Sequence, residues 1–247
     1  MQFRTESSFG VKFKFATKMN EQNSSPHKWR IFIVDDHPLI RIGLITRITE
    51  EKDLVVCGEA TDGPKALSAI PKARPDLVIV DLSLRSGSGM ELIKDLVIQV
   101  PEVKIVVLSM HDEMIYAERA IKAGARAYVM KQDSSQQVVT AIRRVLEGKV
   151  FISDKVMAAI ASKLGKGMGD SSPLERLSDR ELQAFELMGR GLSSTEIAET
   201  LHVSIKTVQM YFARAKAKFG ISSGKELLRE SLRWHDATRP QSVFVGA

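Results

Sequence analysis

What most constrains this chain is a recurrence between residues 29 and 152: a short apolar run that leads into a helical stretch, five times over, with a polar residue directly after four of the runs. The runs are Ile31–Val34, Leu54–Cys57, Leu77–Val80, Ile105–Leu108 and Ala127–Met130. They are apolar throughout rather than alternating, as strands are when both faces of a parallel sheet are covered. The intervening stretches, Leu39–Ile48, Gly63–Ile70, Met90–Val100, Met114–Ala123 and Val138–Leu146, have helical spacing and helix-type stops, Gly124 and Gly148 among them. Pro38 opens the first helix where its missing N–H costs little. The segment therefore reads as an α/β doubly wound domain with five parallel strands.

In such sheets ligands gather outside the carboxyl ends of the strands. Asp35 and Asp36 follow the first run, Asp81 the third, Ser109 the fourth and Lys131 the fifth. Three carboxylates brought together repel and call for a cation, and hard oxygen ligands with open positions suit Mg²⁺. A carboxylate such as Asp81 can be a nucleophile that forms an aspartyl phosphate. The Ser109 hydroxyl and the Lys131 ammonium would then hold oxygens of the transferred phosphoryl group.

The remaining sequence differs in character. Residues 1–30 carry six Lys/Arg against two Asp/Glu, a net +4, whereas residues 31–153 come to −1 and residues 154–247 to +3. Phe9, Val11, Phe13 and Phe15 alternate with Lys12 and Lys14 in the manner of a strand, but residues 1–28 are expected to be a tail. Residues 153–173 read as a linker with a helix at Lys155–Leu164, followed by a Gly/Ser/Pro-rich flexible stretch. From 174 to 236 four short helices are expected, and 237–247 is a second tail. Ser178–Glu181 and Ser193–Glu196 are capping boxes, and Ser204 caps a helix that Gly220 ends.

At about 100° per residue that helix has one apolar face, Val208, Phe212, Ala215 and Phe219, at about 180–240° from Lys206. Lys206, Gln209, Met210, Ala213 and Ala217 point the other way. Between Ser204 and Gly220 stand Lys206, Arg214, Lys216 and Lys218 with no acid. A short helix, a turn and a basic helix is the helix-turn-helix plan, whose second helix enters the DNA major groove. A glutamine amide such as that of Gln209 pairs with adenine, and flanking Lys and Arg meet phosphates.

Two stretches carry resemblances. IFIVDDHPLIRIGL, RPDLVIVDLSLRSGSGMELI, VVLSMHDE and AIKAGARAYVMKQ resemble a bacterial response-regulator receiver, a flavodoxin-like domain. LSDRELQAFELMGRGLSSTEIAETLHVSIKTVQMYFARAKAKFGI resembles the NarL/FixJ (LuxR-type) output domain, with its motif at Ser194 to Ala213. The resemblance implies that Asp81 is the phosphoacceptor, Asp36 a direct Mg²⁺ ligand, Asp35 a water-mediated one and the Ser83 backbone carbonyl a further ligand. It makes Ser109 and Tyr128 the switch pair, with Tyr128 turning inward on phosphorylation, and Lys131 the phosphoryl-binding lysine. DNA contacts are expected from Lys206, Thr207, Gln209, Met210, Ala213, Arg214 and Lys216. Three positions depart from the usual pattern: Gln132 stands where many receivers have proline, and Gln209 and Tyr211 where output domains commonly have Lys and His.

The expected protein is a phosphorylation-controlled, DNA-binding transcription regulator, cytoplasmic, served by a sensor histidine kinase and homodimeric on DNA. Beyond slow self-dephosphorylation it is not an enzyme. A phosphorylation-independent DNA binder stays open as an alternative. So does an aspartyl-phosphate hydrolase, although such enzymes usually carry a second carboxylate where Ser83 stands. One cysteine excludes a disulfide framework or a CxxC metal motif, and no apolar run reaches the roughly 20 residues that span a bilayer.

Overall fold

The computed structural model describes residues 28–84, 87–165 and 172–238. The expected N-terminal tail, apart from Lys28, lies outside them, as do 166–171 of the linker and the chain beyond 238. Strands β1 (Trp29–Val34), β2 (Leu54–Ala60), β3 (Leu77–Val80), β4 (Lys104–Ser109) and β5 (Ala127–Met130) form one parallel sheet in the order β2-β1-β3-β4-β5. They alternate with α1 (Pro38–Thr49), α2 (Gly63–Ala73), α3 (Gly89–Gln99), α4 (Glu113–Ala123) and α5 (Ser135–Leu146).

Successive strand residues serve opposite faces. Ile31, Ile33, Leu77, Ile79, Val106 and Leu108 pack with Leu44, Ile48, Val138 and Ile142 of α1 and α5. Phe32, Val34, Val78, Val80, Ile105 and Val107 pack with Ile70, Ile93, Leu96 and Ala117 of α2, α3 and α4. Both faces are covered, which is why these runs lack polar alternation.

Among the elements that run longer than the local signals indicate are β2 and α2. β2 continues past Cys57 through Gly58, whose added Cβ would stand 2.5 Å from the Phe32 ring; glycine lets the strand pass there. α2 continues past Pro71 to Ala73, ending on Arg74 at φ 44°. Cys57 packs against the core, and burial pushes its thiol pKa up.

The rest is helical. α6 (Asp154–Gly165) covers the expected linker helix, with Val156 buried and Lys163 between Glu118 and Glu175 at 2.6 Å from each. It leans on α4 and is a strut rather than loose chain. Then come α7 (Asp179–Gly189), α8 (Ser194–Thr200), α9 (Ile205–Phe219) and α10 (Gly224–Thr238), the last reaching two residues into the stretch expected to be a tail. Both capping boxes form, on Ser178 and Ser193, and Ser204 accepts from the Thr207 N–H. The α9 core face is as the wheel indicates: Val208 and Ala215 are fully buried, and Phe219 stacks on Phe185 at 5.2 Å.

This helical unit packs against the α/β unit. Leu177, Leu182, Phe185 and Leu227 belong to the same buried cluster as Tyr116 and Ala117 of α4. The Arg119 guanidinium donates to the carbonyls of Leu174, Glu175 and Leu177 at 2.9, 3.2 and 2.8 Å and reaches Asp179 at 3.3 Å. Lys94–Asp179 at 2.8 Å and Arg180–Glu91 at 3.0 Å flank it.

Candidate phosphoryl site and nucleic-acid face

Parallel pairing brings the carboxyl ends of β1, β3, β4 and β5 to one edge, and the polar residues after them meet there. Lys131 Nζ lies 2.6 Å from Asp81 Oδ2 and 2.7 Å from Asp35 Oδ2. All three side chains are almost wholly shielded from water, at 3%, 1% and 2% exposure. The Ser83 N–H donates to Asp81 Oδ1 at 3.1 Å. Gly89, at the start of α3, lies against this loop: an added Cβ would stand 2.0 Å from the Asp81 carbonyl oxygen.

Burial raises the Asp81 carboxyl pKa, and Lys131 opposes that rise without cancelling it. Burial alone would lower the Lys131 pKa, but Asp81 and Asp35 outweigh it and the ammonium is held above its ordinary value. The group is a buried cation between two carboxylates, whose pairing offsets desolvation only with good geometry.

His37 joins this cluster, a role its sequence context does not signal. Its Nδ1 lies 2.9 Å from Asp36 Oδ1 and 3.2 Å from Asp35 Oδ1. Asp35, Asp36, His37 and Asp81 each offer one ligand atom within 4.8 Å of the others. The donor set is dominated by carboxylate oxygen, and the packing of one ammonium among these oxygens shows a site built for positive charge. It fits a hard divalent cation.

Ser109, at the end of β4, is fully buried and its Oγ accepts from the His111 N–H at 3.1 Å. Tyr128 faces inward: it is 2% exposed and donates to the His111 carbonyl at 2.8 Å. Burial raises the Tyr128 pKa far beyond the usual phenol range, so the hydroxyl stays a donor.

Sequence reasoning missed what lies above this edge. His111 Nε2 sits 2.9 Å from Ser83 Oγ, and Nδ1 sits 3.3 Å from Glu186 Oε2 on α7. Tyr116 donates to the same Glu186 oxygen at 2.8 Å, and Arg190 holds the other at 2.7 Å. Burial works against the Glu186 charge, but His111, Arg190 and Tyr116 overcome it and hold the pKa at about 2. A cleft of about 240 Å³ opens here between the two units, lined by Asp36, Ser83, His111, Glu186 and Arg190 among others.

On α9, Lys206, Gln209, Met210, Ala213 and Arg214 are exposed, while Thr207 and Lys216 are half-buried. The face expected to read DNA thus stays open to solvent while the two units are packed together. One cation is diverted: Lys218 Nζ lies 2.6 Å from Glu181 on α7 and serves the helical core.

A buried aspartate at a strand end, flanked by two acids, a hydroxyl and a lysine, with a helix-turn-helix unit downstream, defines a phosphoacceptor module joined to a DNA-binding one. Comparison with known proteins agrees. Residues 31–143 match the response regulator receiver domain, and residues 175–231 match the bacterial regulatory proteins of the luxR family. The chain is 32% identical over 192 residues to the DNA-binding transcriptional activator DevR/DosR of Mycobacterium tuberculosis, covering 78% of this chain and 88% of that one. It is 31% identical over 211 residues to the oxygen regulatory protein NreC of Staphylococcus epidermidis, covering 83% and 97%. RcsB of Salmonella enterica serovar Typhimurium, solved on promoter P1flhDC with phosphomimetic BeF₃⁻, superposes with a TM-score of 0.60 at 26% identity, covering 83% of this chain and 98% of that one. This chain belongs to the LuxR-type (NarL/FixJ) response regulators, a family of DNA-binding transcription regulators. Among the described residues no helix is long and apolar enough to cross a membrane.

Proposed function

We propose that Asp81 accepts a phosphoryl group from a sensor histidine kinase in the cytoplasm, and that this controls how α9 meets promoter DNA. The observation that carries the reading is Lys131 bridging buried Asp81 and Asp35 at one edge of the molecule, with an open basic helix face elsewhere on it. An Asp81 carboxylate oxygen attacks phosphorus, the bond to the donor nitrogen breaks, and its electron pair leaves with the donor imidazole. Asp35, Asp36, Asp81 and the Ser83 carbonyl are the residues that would hold Mg²⁺, which supplies charge neutralisation at the phosphoryl oxygens. Lys131 is poised to move its ammonium from Asp81 onto a phosphoryl oxygen, and Ser109 to donate its hydroxyl to another. Phosphorylation adds about −1.5 to −2 charge in a buried site, enough to rebias contacts around it.

On DNA the protein would act as a homodimer, since two such helices read paired half-sites. Lys206, Arg214 and Lys216 supply phosphate or base-edge contacts, and Gln209 and Met210 face the bases. The test is incorporation of label from an acyl phosphate with Mg²⁺: wild type takes up one phosphoryl group per chain and Asp81→Asn none. Equal labelling of both proteins refutes it. The exposed α9 face supports a second reading in which DNA binding is independent of phosphorylation. An identical footprint from wild type and Asp81→Asn, each with and without acyl phosphate, would favour that one.

A further inference from the structure

The exposed side of α9 is more apolar than phosphate contact requires. At about 100° per residue from Lys206, Ile205, Gln209, Ala213, Ala217 and Met210 run from about 260° through 0° to about 40°. Each is exposed, the long apolar side chains of Ile205 and Met210 at 44% and 42%. Other polar groups of the helix are committed inside the protein. Lys216 Nζ reaches the Ser222 carbonyl at 3.3 Å, Lys218 lies 2.6 Å from Glu181, and the Thr207 hydroxyl is 2.8 Å from that of its capping Ser204. The Gln209 amide makes no hydrogen bond among the described residues, so its donor and its acceptor are both unspent.

Those side chains suit one kind of base pair. The lysine that output domains commonly carry at this position offers donors alone, which match guanine O6 and N7. An amide offers a donor and an acceptor side by side, which match N7 and the N6 amino group of adenine. An apolar side chain in the major groove has the C5-methyl of thymine to meet. No acid stands between Ser204 and Gly220 to accept from cytosine N4. Neighbouring positions on a helix face lie about 5–6 Å apart, within two base-pair steps of about 3.4 Å.

We propose that α9 reads an A·T core in its half-site: the Gln209 amide pairs with N6 and N7 of one adenine, while Met210 and Ile205 beside it cover the methyls of neighbouring thymines. The inference rests on α9 being the helix that enters the groove. Ala213 and Ala217 let its backbone come close to the bases. Lys206 at the start of the helix and Arg214 at the edge of the face hold phosphates, which position the helix without choosing a sequence.

The test is selection from a pool of randomised duplexes by the full chain with acyl phosphate and Mg²⁺, and in parallel by Gln209→Lys. Gln209 is exposed and unbonded, so the exchange leaves α9 folded. The two selected half-sites should differ at one base pair, adenine for wild type and guanine for the variant. On duplexes that differ only there, each protein should prefer its own base by about 5- to 150-fold. Uracil in place of the thymines beside that adenine removes methyl groups alone, and should weaken wild-type binding by about fourfold per methyl covered. Met210→Ala should be indifferent to one of these exchanges. Guanine selected by wild type at that pair, identical half-sites from both proteins, or an equal response to uracil in wild type and Met210→Ala overturns the inference while leaving α9 as the reading helix. Failure of wild type to retain any duplex overturns the reading beneath it as well.

Discussion

Replacing Lys131 by Met keeps the length of the side chain and removes its charge. Lys131 Nζ lies 2.6 and 2.7 Å from two carboxylates, all three groups being 3% exposed or less. At an effective dielectric constant of about 20 each contact is worth roughly 6 kcal/mol of attraction, much of it cancelled by desolvation. Breaking such a buried pair from one side typically costs about 3–5 kcal/mol, because the remaining charge is stranded. With the ammonium gone, the Ser83 N–H is left as the counterweight to the burial that raises the Asp81 pKa. A carboxyl whose native pKa exceeds its unfolded one destabilises the fold above the unfolded value, increasingly until the native pKa is passed. The Lys131→Met deficit is therefore expected to be small near pH 4 and to reach about 3–5 kcal/mol near pH 8. Urea denaturation in chelator at several pH values measures it. Mg²⁺ should narrow the deficit, since a divalent cation restores positive charge to the same oxygens, and its removal should widen it again. A deficit below about 1 kcal/mol at pH 8, or one that does not change with pH, refutes the claim that Lys131 neutralises this cluster.

Arg119→Ala removes four contacts from α4 to the 174–179 segment, and at about 0.5–1 kcal/mol each it should loosen docking by about 2–4 kcal/mol. Amide hydrogen exchange at Leu174 to Leu177 should accelerate while the central strands stay protected. Gly189→Ala puts a Cβ 2.4 Å from the Ser231 carbonyl oxygen, so α7 and α10 must separate; a loss of about 1–3 kcal/mol in thermal or urea unfolding is expected. Lys206→Ala should weaken DNA binding across sequences and lower the salt slope by about one unit in a titration at several ionic strengths. Glu186, held at about 2, stabilises docking above its ordinary range, and that contribution is lost as pH falls from about 4.5 toward 2; small-angle scattering should show the two units separating over that window.

The strands were legible because each run of four apolar residues is a local signal, whereas the strand order is not local and came with the resemblance to a flavodoxin-like domain; right-handed crossovers then set the face each helix covers. The caps were legible for the same reason: Ser178, Ser193 and Ser204 act within three residues of themselves. What stayed hidden depends on partners far along the chain. Glu186 and Gln183 occupy polar positions of α7 that would face water on an isolated helix, yet α7 is buried along six consecutive residues. The Tyr116–Glu186 bond joins residues 70 apart, and no periodicity encodes it. Lys218 counts in sequence only toward the charge of its helix, and its partner Glu181, 37 residues earlier, shows only in the fold. His37 follows two acids in sequence, but only the folded loop turns its ring back onto them.

The open α9 face changes where control must act. If docking hid the reading residues, release alone would explain regulation, but Lys206, Gln209 and Arg214 are exposed with the units packed together. Docking instead fixes the direction in which that face points and whether two copies can present it at half-site spacing, a geometric requirement of paired helix-turn-helix units. The link to Asp81 passes through one residue. The backbone of His111 is held by both proposed switch residues, its N–H by Ser109 and its carbonyl by Tyr128, while its ring lies 3.3 Å from the Glu186 carboxylate. A Ser109 hydroxyl can donate to a phosphoryl oxygen and still accept from the His111 N–H, so coupling requires that its oxygen move. At about 1 kcal/mol per hydrogen bond, a movement that costs the Ser109 bond would shift a two-state population by about fivefold. A shift of that size biases a switch and leaves the fold itself untouched, because none of these bonds belongs to the sheet.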